Sequence, residues 1–167
     1  MEQGLGARPA PLDFDDTFRR WYGPMVRALA VAAGEREIAA DCGPAAFARA
    51  YVRGRRGSRL DDPPGWIRHV AVNRLRDHWR KSARGSQALR RLQSEASLVA
   101  AAPAEPSELA ALLQRLPEQQ RMAVALFYVD DLSVNEIAHA MGLSGGAVKY
   151  HLHAARTTLR AGLEKAT

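Results

Sequence analysis

Val148, Leu152, Ala155 and Leu159 recur at intervals of four, three and four residues, the period of a single buried stripe along an α-helix. One residue further round, Lys149, His153, Arg156 and Arg160 repeat that spacing as a parallel basic stripe. A strand needs apolar residues at every second position, and no segment of the chain alternates in that way. The expected fold class is therefore all-α. Earlier in the chain, Asp13 has the chemistry of a helix N-cap. Phe14, Phe18, Trp21, Tyr22, Met25, Val26 and Leu29 follow it at spacings of mostly three and four. Gly23-Pro24 interrupts this face and predicts two consecutive helices. A further helix is expected over Ala45 to Arg55, with Phe47 and Tyr51 four apart. Asp61-Asp62-Pro63-Pro64-Gly65 reads as a turn, and a long helix is expected from near Trp66. In it Trp66, Ile67, Val70, Ala71, Leu75 and Trp79 face inward, while Arg68, Arg74, Arg76, Arg80 and Lys81 occupy mostly other faces.

Between Ser82 and Ser107 the composition shifts to Ala, Ser, Gln, Glu and Pro, which predicts a flexible linker between two small helical domains. The expected boundaries are a disordered terminus over 1–12, a first domain over 13–82, a linker over 83–106 and a second domain over 107–167. Charge is concentrated in the first domain and linker. Residues 49–91 hold thirteen Arg or Lys against three acids, within a chain whose net charge is +6. Such a block attracts a polyanion, although a plain solvated face would have the same composition. No apolar run is long enough to span a bilayer, and the start lacks a basic-then-apolar leader, so a cytoplasmic protein without membrane insertion is expected. The single cysteine, Cys42, cannot form an intramolecular disulfide.

The last sixty or so residues carry the most specific signal. Leu116-Pro117 ends one helix and places proline where the next begins. Ser133-Val134-Asn135-Glu136 has the form of a capping box, in which serine and glutamate each satisfy the other's backbone N–H. Ile137, Ala138 and Met141 then fall on one side of a short helix. Gly142 supplies a left-handed turn residue, Leu143 returns to the core, and Ser144 is placed to cap the last helix. A braced short helix, a glycine turn and a second helix with a basic exposed face form the layout of a helix-turn-helix. Gly145 and Gly146 leave the start of that second helix bare for close approach to a phosphate. A simple helical hairpin shares the core pattern but not the cap, turn and basic stripe in register.

These segments (Leu116 to Arg121, Leu132 to Ala138, Gly142 to Lys149 and Leu152 to Arg156) resemble region 4 of the extracytoplasmic-function sigma factors of bacterial RNA polymerase. Trp66-Ile67-Arg68-His69-Val70-Ala71-Val72-Asn73, with Asp77 and Trp79-Arg80-Lys81, resembles the helix of region 2 that melts and reads the minus-ten element. The loop from Arg59 to Gly65 lies where the family captures a flipped base, and Phe47-Ala48-Arg49-Ala50-Tyr51 resembles the end of the helix that binds the polymerase clamp. The likeness spans residues 13–82 and 107–163 in the family's order.

It implies a factor that directs RNA polymerase to promoters, with the following assignments. Ser144, Gly146, Lys149, Tyr150, His153 and Arg156 would read duplex minus-thirty-five DNA. Asn73, Arg74, Asp77, Arg80 and Lys81 would engage single-stranded minus-ten DNA. Asp41, Phe47, Arg49 and Tyr51 would bind core polymerase, and an anti-sigma factor is a further partner class. Two departures stand out. Asp41-Cys42-Gly43-Pro44-Ala45 replaces a stretch close to Asp-Leu-Val-Gln-Glu, and Gly43-Pro44 predicts a clamp helix that begins at or next to Pro44 with a weakened hold on polymerase. Ala147 stands where the family's recognition helix usually has threonine.

No cofactor, metal or catalytic centre is expected. His69 and His78 are nine apart and His151 and His153 two apart, whereas a helical metal pair needs three or four. Arg53-Gly54-Arg55-Arg56-Gly57-Ser58 lacks the spacing and lysine of a phosphate-binding loop. Trp66 and Trp79 share the apolar phase of their helix, which favours packing over stacking on bases. Two other readings stay open at this level: a sigma-like regulator that works without core polymerase, and an interaction protein that holds an anti-sigma-like partner.

Overall fold

The computed structural model describes residues 13–57, 60–92 and 107–166, and gives the backbone alone for Phe14, residues 86–92 and Ala166. The expectations for residues 1–12, for the linker beyond residue 92 and for Arg59 lie outside the described residues. Among these residues seven α-helices follow one another: α1 (Phe14–Ala33), α2 (Arg36–Arg55), α3 (Pro63–Leu92), α4 (Glu108–Arg115), α5 (Glu118–Tyr128), α6 (Val134–Met141) and α7 (Gly145–Ala166). Among the described residues there is no strand, and no helix is long and apolar enough to cross a membrane.

α1 is one helix, not the two that Gly23-Pro24 predicts. Asp13 starts it, its carboxylate accepting from the N–H groups of Asp15 at 3.0 Å and Asp16 at 3.1 Å. Gly34 ends it at φ +76°, donating to the Ala30 carbonyl. Pro24 removes one N–H and so frees the carbonyl of Arg20, which belongs to an exposed residue where water can replace the lost bond. On the other side Met25, Ala28, Leu29 and Ala32 are buried, and that continuous packing outweighs a proline penalty of about 3 kcal/mol.

The same correction applies to α2. It begins at Arg36, eight residues before the expected start at Pro44, and Pro44 sits inside it. The carbonyl freed there belongs to Ala40, again exposed, while Ala39, Cys42, Gly43, Ala46, Phe47 and Ala50 are buried. Gly43 contributes by its lack of a side chain, because a Cβ there would lie 2.7 Å from Val26 Cγ2 on α1. A larger residue at 43 would overpack the α1–α2 contact rather than extend a helix that is already continuous.

The run read as a turn before Trp66 is the cap and first turn of α3. Asp62 accepts from Gly65 N–H through Oδ1 at 3.1 Å and from Trp66 N–H through its carbonyl at 3.0 Å. Pro63 opens the helix, where its fixed φ suits the geometry and no N–H is needed. α3 then continues to Leu92. Ile67, Val70, Ala71, Val72 and Leu75 are buried, with Trp66 and Trp79 half-buried against them, as their apolar phase predicts.

The helices form two units, α1–α3 and α4–α7, whose buried residues belong to one hydrophobic core. α1 packs on α5 and α3 on α6. Polar side chains of each unit reach the other. Arg68 of α3 donates to both carboxylate oxygens of Asp130 after α5, at 2.8 and 3.1 Å, with the two side chains 5% and 1% exposed. Its guanidinium also lies 4.9 Å from the ring centre of Trp21. Burial pushes the Asp130 carboxyl up from the ordinary aspartate value, and the two Arg68 bonds pull it back.

Arg68→Ala leaves Asp130 buried without its partner and is expected to lower stability by about 3–5 kcal/mol, read as a fall in urea midpoint at unchanged slope. The double change Arg68→Met with Asp130→Leu is expected to recover most of that loss. A single-variant loss below about 1 kcal/mol would show that the pair is hydrated in solution and does not join the units.

Candidate nucleic-acid interface

The second unit realises its sequence pattern closely. Leu116 is buried and Pro117 precedes α5, which is buried on all sides from Arg121 to Leu126. The turn after α5 places Asp131 at φ +55°, a conformation aspartate tolerates better than most residues. Both capping-box bonds of α6 are present: Glu136 N–H donates to Ser133 Oγ at 3.2 Å, and Ser133 N–H donates to Glu136 Oε2 at 2.8 Å. These bonds hold the Glu136 carboxyl below the ordinary glutamate value. Gly142 turns the chain at φ +63°, and Leu143 N–H returns to the Ala138 carbonyl at 2.9 Å. On α6 the buried residues are Ile137, Ala140 and Met141. Ala138, expected on that side, is half-buried, because positions three and four beyond Ile137 are 140 and 141.

Ser144 caps α7, its hydroxyl accepting from Ala147 N–H at 3.1 Å and its carbonyl from Val148 N–H at 3.1 Å. Val148, Leu152 and Ala155 are buried and Leu159 is half-buried. Lys149, Tyr150, His153, Arg156 and Arg160 are exposed on the opposite side, Tyr150 at 66%. Gly146 is exposed, and a Cβ there would meet nothing closer than Ser144 Oγ at 3.9 Å, so packing does not require the glycine. Arg156 is not a free cation: its Nε donates to Tyr128 Oη at 2.9 Å, and its guanidinium lies 5.3 and 5.6 Å from the ring centres of Phe127 and Tyr128. Tyr128 is 59% exposed, and no sequence signal placed it on this face, because it comes from the end of α5, 28 residues away.

In the first unit the candidate residues divide. Arg74, Asp77, Arg80 and Lys81 are exposed on α3, with Asp77 and Arg80 paired at 3.3 Å. Arg74, Asp77 and Lys81 share a shallow cleft of about 400 Å³ with Asp41, Cys42, Glu35 and Glu37, so Asp41 sits beside the candidate DNA residues. Burial raises the Cys42 thiol pKa. Asn73 is half-buried, its amide 3.0 Å from His69 Nε2, while His69 Nδ1 is 3.2 Å from the Ala140 carbonyl of α6. Phe47 is core rather than contact surface: it is 7% exposed and meets Phe18 and Tyr22 edge-on at 5.3 and 5.6 Å. Arg49 and Tyr51 are exposed on α2, and Arg49 lines a cleft of about 460 Å³ with Val52, Arg53, Arg56 and Trp66. Arg53 covers the Trp66 ring at 5.5 Å, and Arg121 covers Trp79 at the same distance.

Residues 107–159 match the family model for Sigma-70, region 4. The chain is similar over 160 residues to the ECF RNA polymerase sigma factor SigM of Bacillus subtilis, at 27% identity, covering 90% of this chain and 94% of that protein. Over 158 residues it is 30% identical to the RNA polymerase sigma-E factor of Streptomyces antibioticus, covering 92% of this chain and 86% of the relative. The chain belongs to the extracytoplasmic-function sigma factors. Its fold agrees with two solved structures. One is RpoE of Bartonella quintana in complex with the anti-sigma factor NepR, with a TM-score of 0.70 at 19% identity over 91% of this chain and 97% of that one. The other is CnrH in complex with the cytosolic domain of CnrY, with a TM-score of 0.65 at 21% identity over 92% and 89%. This sigma factor directs bacterial RNA polymerase to promoters and binds DNA through the helix-turn-helix of α6 and α7.

Because folding lowers the Glu136 pKa, the carboxylate's contribution to α6 is whole above the ordinary glutamate value and fades as pH falls through the lowered one. Glu136→Gln is expected to flatten that acid limb in urea titrations. Ser133→Ala is expected to cost about 0.5–2 kcal/mol at neutral pH. An acid limb that persists unchanged in Glu136→Gln would assign it to other groups.

Proposed function

We propose that this sigma factor reads duplex promoter DNA with the exposed stripe of α7, with Lys149, Tyr150 and His153 facing base edges and Ser144, Gly146 and Arg156 meeting phosphate. The observation that carries this reading is the separation of the two faces of α7. Val148, Leu152 and Ala155 are committed to the core, and Lys149, His153, Arg156 and Arg160 are left outside, while His151 between the two faces is half-buried. A helix presented in this way can enter a major groove without unpacking. Arg74, Asp77, Arg80 and Lys81 on the outer side of α3 would track the minus-ten strand, and Asn73 would join them after releasing His69. On α2, Arg49 and Tyr51 would meet core polymerase, with Phe47 supporting them from beneath.

Residues 13–82 then act as the polymerase and minus-ten unit and residues 107–167 as the minus-thirty-five unit, with 83–106 between them. The chain supplies sequence choice and strand opening in the cytoplasm, and nucleotide addition belongs to the polymerase. The reading as a regulator independent of polymerase rested on an interrupted clamp helix, and the continuity of α2 removes that ground. RpoE of Bartonella quintana was solved with an anti-sigma factor, and we propose a partner of that class for this chain too.

Gly146→Ala is expected to separate binding from folding. Alanine in a helix is up to about 1 kcal/mol more favourable than glycine, so stability should hold or rise while the added methyl obstructs phosphate approach and weakens promoter binding. Lys149→Ala and His153→Ala should each weaken binding by about 1–3 kcal/mol and relax base preference if they touch base edges. Fluorescence anisotropy on a promoter selected with core polymerase measures both. Unchanged affinity in all three variants would remove α7 from the groove.

A further inference from the structure

The basic stripe of α7 was legible in sequence, but its member Arg156 is set by a residue from another helix. Tyr128 closes α5, lies 59% exposed, and accepts the Nε proton of Arg156 on its hydroxyl oxygen at 2.9 Å. The guanidinium is flanked by the Phe127 and Tyr128 rings at 5.3 and 5.6 Å, and those two rings meet edge-on at 4.9 Å. Arginine has five N–H donors in a planar fork, and this arrangement uses one of them on the tyrosine. The Nη groups stay available on an exposed side chain. A phenol that accepts through its oxygen keeps its own O–H to donate. Two donor groups from two helices therefore lie side by side on the stripe, held against aromatic rings, with no acid among the described residues bonded to either. That is the requirement for gripping one phosphate with little loss of side-chain freedom on binding.

We propose that Tyr128 and Arg156 form a composite clamp for a DNA backbone phosphate at the flank of the groove that α7 enters. Tyr128 is the positioning residue of the pair: it fixes the plane of the Arg156 fork and adds one hydrogen bond of its own. The clamp reads no base. Arg156 is seven residues beyond Lys149, about 10 Å further along the helix axis, so it meets the duplex away from the bases that the start of α7 faces. A backbone contact there sets the register of α7 on the duplex and leaves sequence choice to Lys149, Tyr150 and His153. This inference rests on α7 being the DNA-reading helix, and the test separates the two.

The test is anisotropy titration of the full chain on a random-sequence duplex and on a selected promoter, across a range of salt, with thermal unfolding of each variant. Tyr128→Phe keeps both rings and loses only the hydroxyl. It is expected to weaken binding about three- to tenfold on both duplexes alike, with unfolding temperature and base preference unchanged. Arg156→Ala should weaken binding further and lower the salt slope by about 0.9, the value for one phosphate contact on duplex DNA. Arg156→Lys keeps the charge but not the fork, and should leave the binding defect largely in place. Adding Tyr128→Phe to Arg156→Ala should cost clearly less than Tyr128→Phe costs alone, because much of the tyrosine's effect runs through the arginine it positions. Wild-type affinity in Tyr128→Phe, or an equal loss with and without Arg156, overturns the clamp. If Lys149→Ala with His153→Ala weakens promoter binding while Tyr128→Phe does not, the clamp falls and α7 remains the reading helix. If none of these variants affects binding, both fall.

Discussion

The pairing of Arg68 with Asp130 is the constraint around which the rest is organised. Two opposite charges buried to 5% and 1% exposure can coexist with an apolar core only when each satisfies the other, and here two parallel hydrogen bonds do so. The pair fixes the distance and rotation between α3 and the turn that follows α5, because a bidentate fork tolerates little misalignment. The apolar contacts of α1 with α5 and of α3 with α6 close around it. A purely apolar interface would slide more easily, and a lone buried charge would drive the units apart.

Around that pair, each unit completes the helix ends of the other. The last carbonyls of α6 have no partner within the helix. Ala138 is taken by Leu143 N–H and His139 by Gly142 N–H, both local, but Ala140 is met by His69 and Met141 by Arg76 Nη1 at 2.7 Å, both from α3. In the other direction Arg121 Nε of α5 donates to the Ala32 carbonyl at the end of α1 at 2.6 Å, and Gln114 donates to Val31 at 3.3 Å. Cationic side chains at helix C-termini are favoured by the direction of the backbone dipoles as well as by the hydrogen bond. Burial lowers the pKa of Arg76 and Arg121 from the ordinary arginine value. Two arginines of the basic segment, Arg68 and Arg76, are therefore internal fasteners, and its charge is somewhat less available to a polyanion than the sequence count suggests. Among the described residues of that segment, the outward-facing positive ones are Arg49, Arg53 and Arg55 on α2, Arg56 just after it, and Arg74, Arg80, Lys81 and Arg84 on α3.

This division has a consequence for function. The outer side of α3 and the stripe of α7 are both exposed while the two units share a core, so DNA-facing charge and unit-joining charge use different residues. Asn73 is the exception. It is the one candidate residue on α3 that is tied, through His69, to the end of α6, and its use in strand reading is coupled to that contact.

Short-range residue pattern was enough to set the helical class and the local logic of the second unit. The capping box of Ser133 and Glu136, the left-handed Gly142, the Ser144 cap and the two-faced α7 all depend on residues within a few positions of one another, and short-range geometry leaves them few alternatives. Proline misled the reading for the same reason. Pro24 and Pro44 are breakers by local rules, yet both lie inside helices because the freed carbonyls of Arg20 and Ala40 face water while the opposite sides are packed. Which partners the buried charged residues find depends on how the helices pack. Arg68 shares the helical phase of Val72, Leu75 and Trp79, but spacing within α3 does not name its partner or that of Arg76; the carboxylate and the carbonyl that claim them lie 62 and 65 residues away. Tyr128 beside Arg156 follows the same rule, since a contact across 28 residues leaves no period to read and exists only once α5 and α7 have packed.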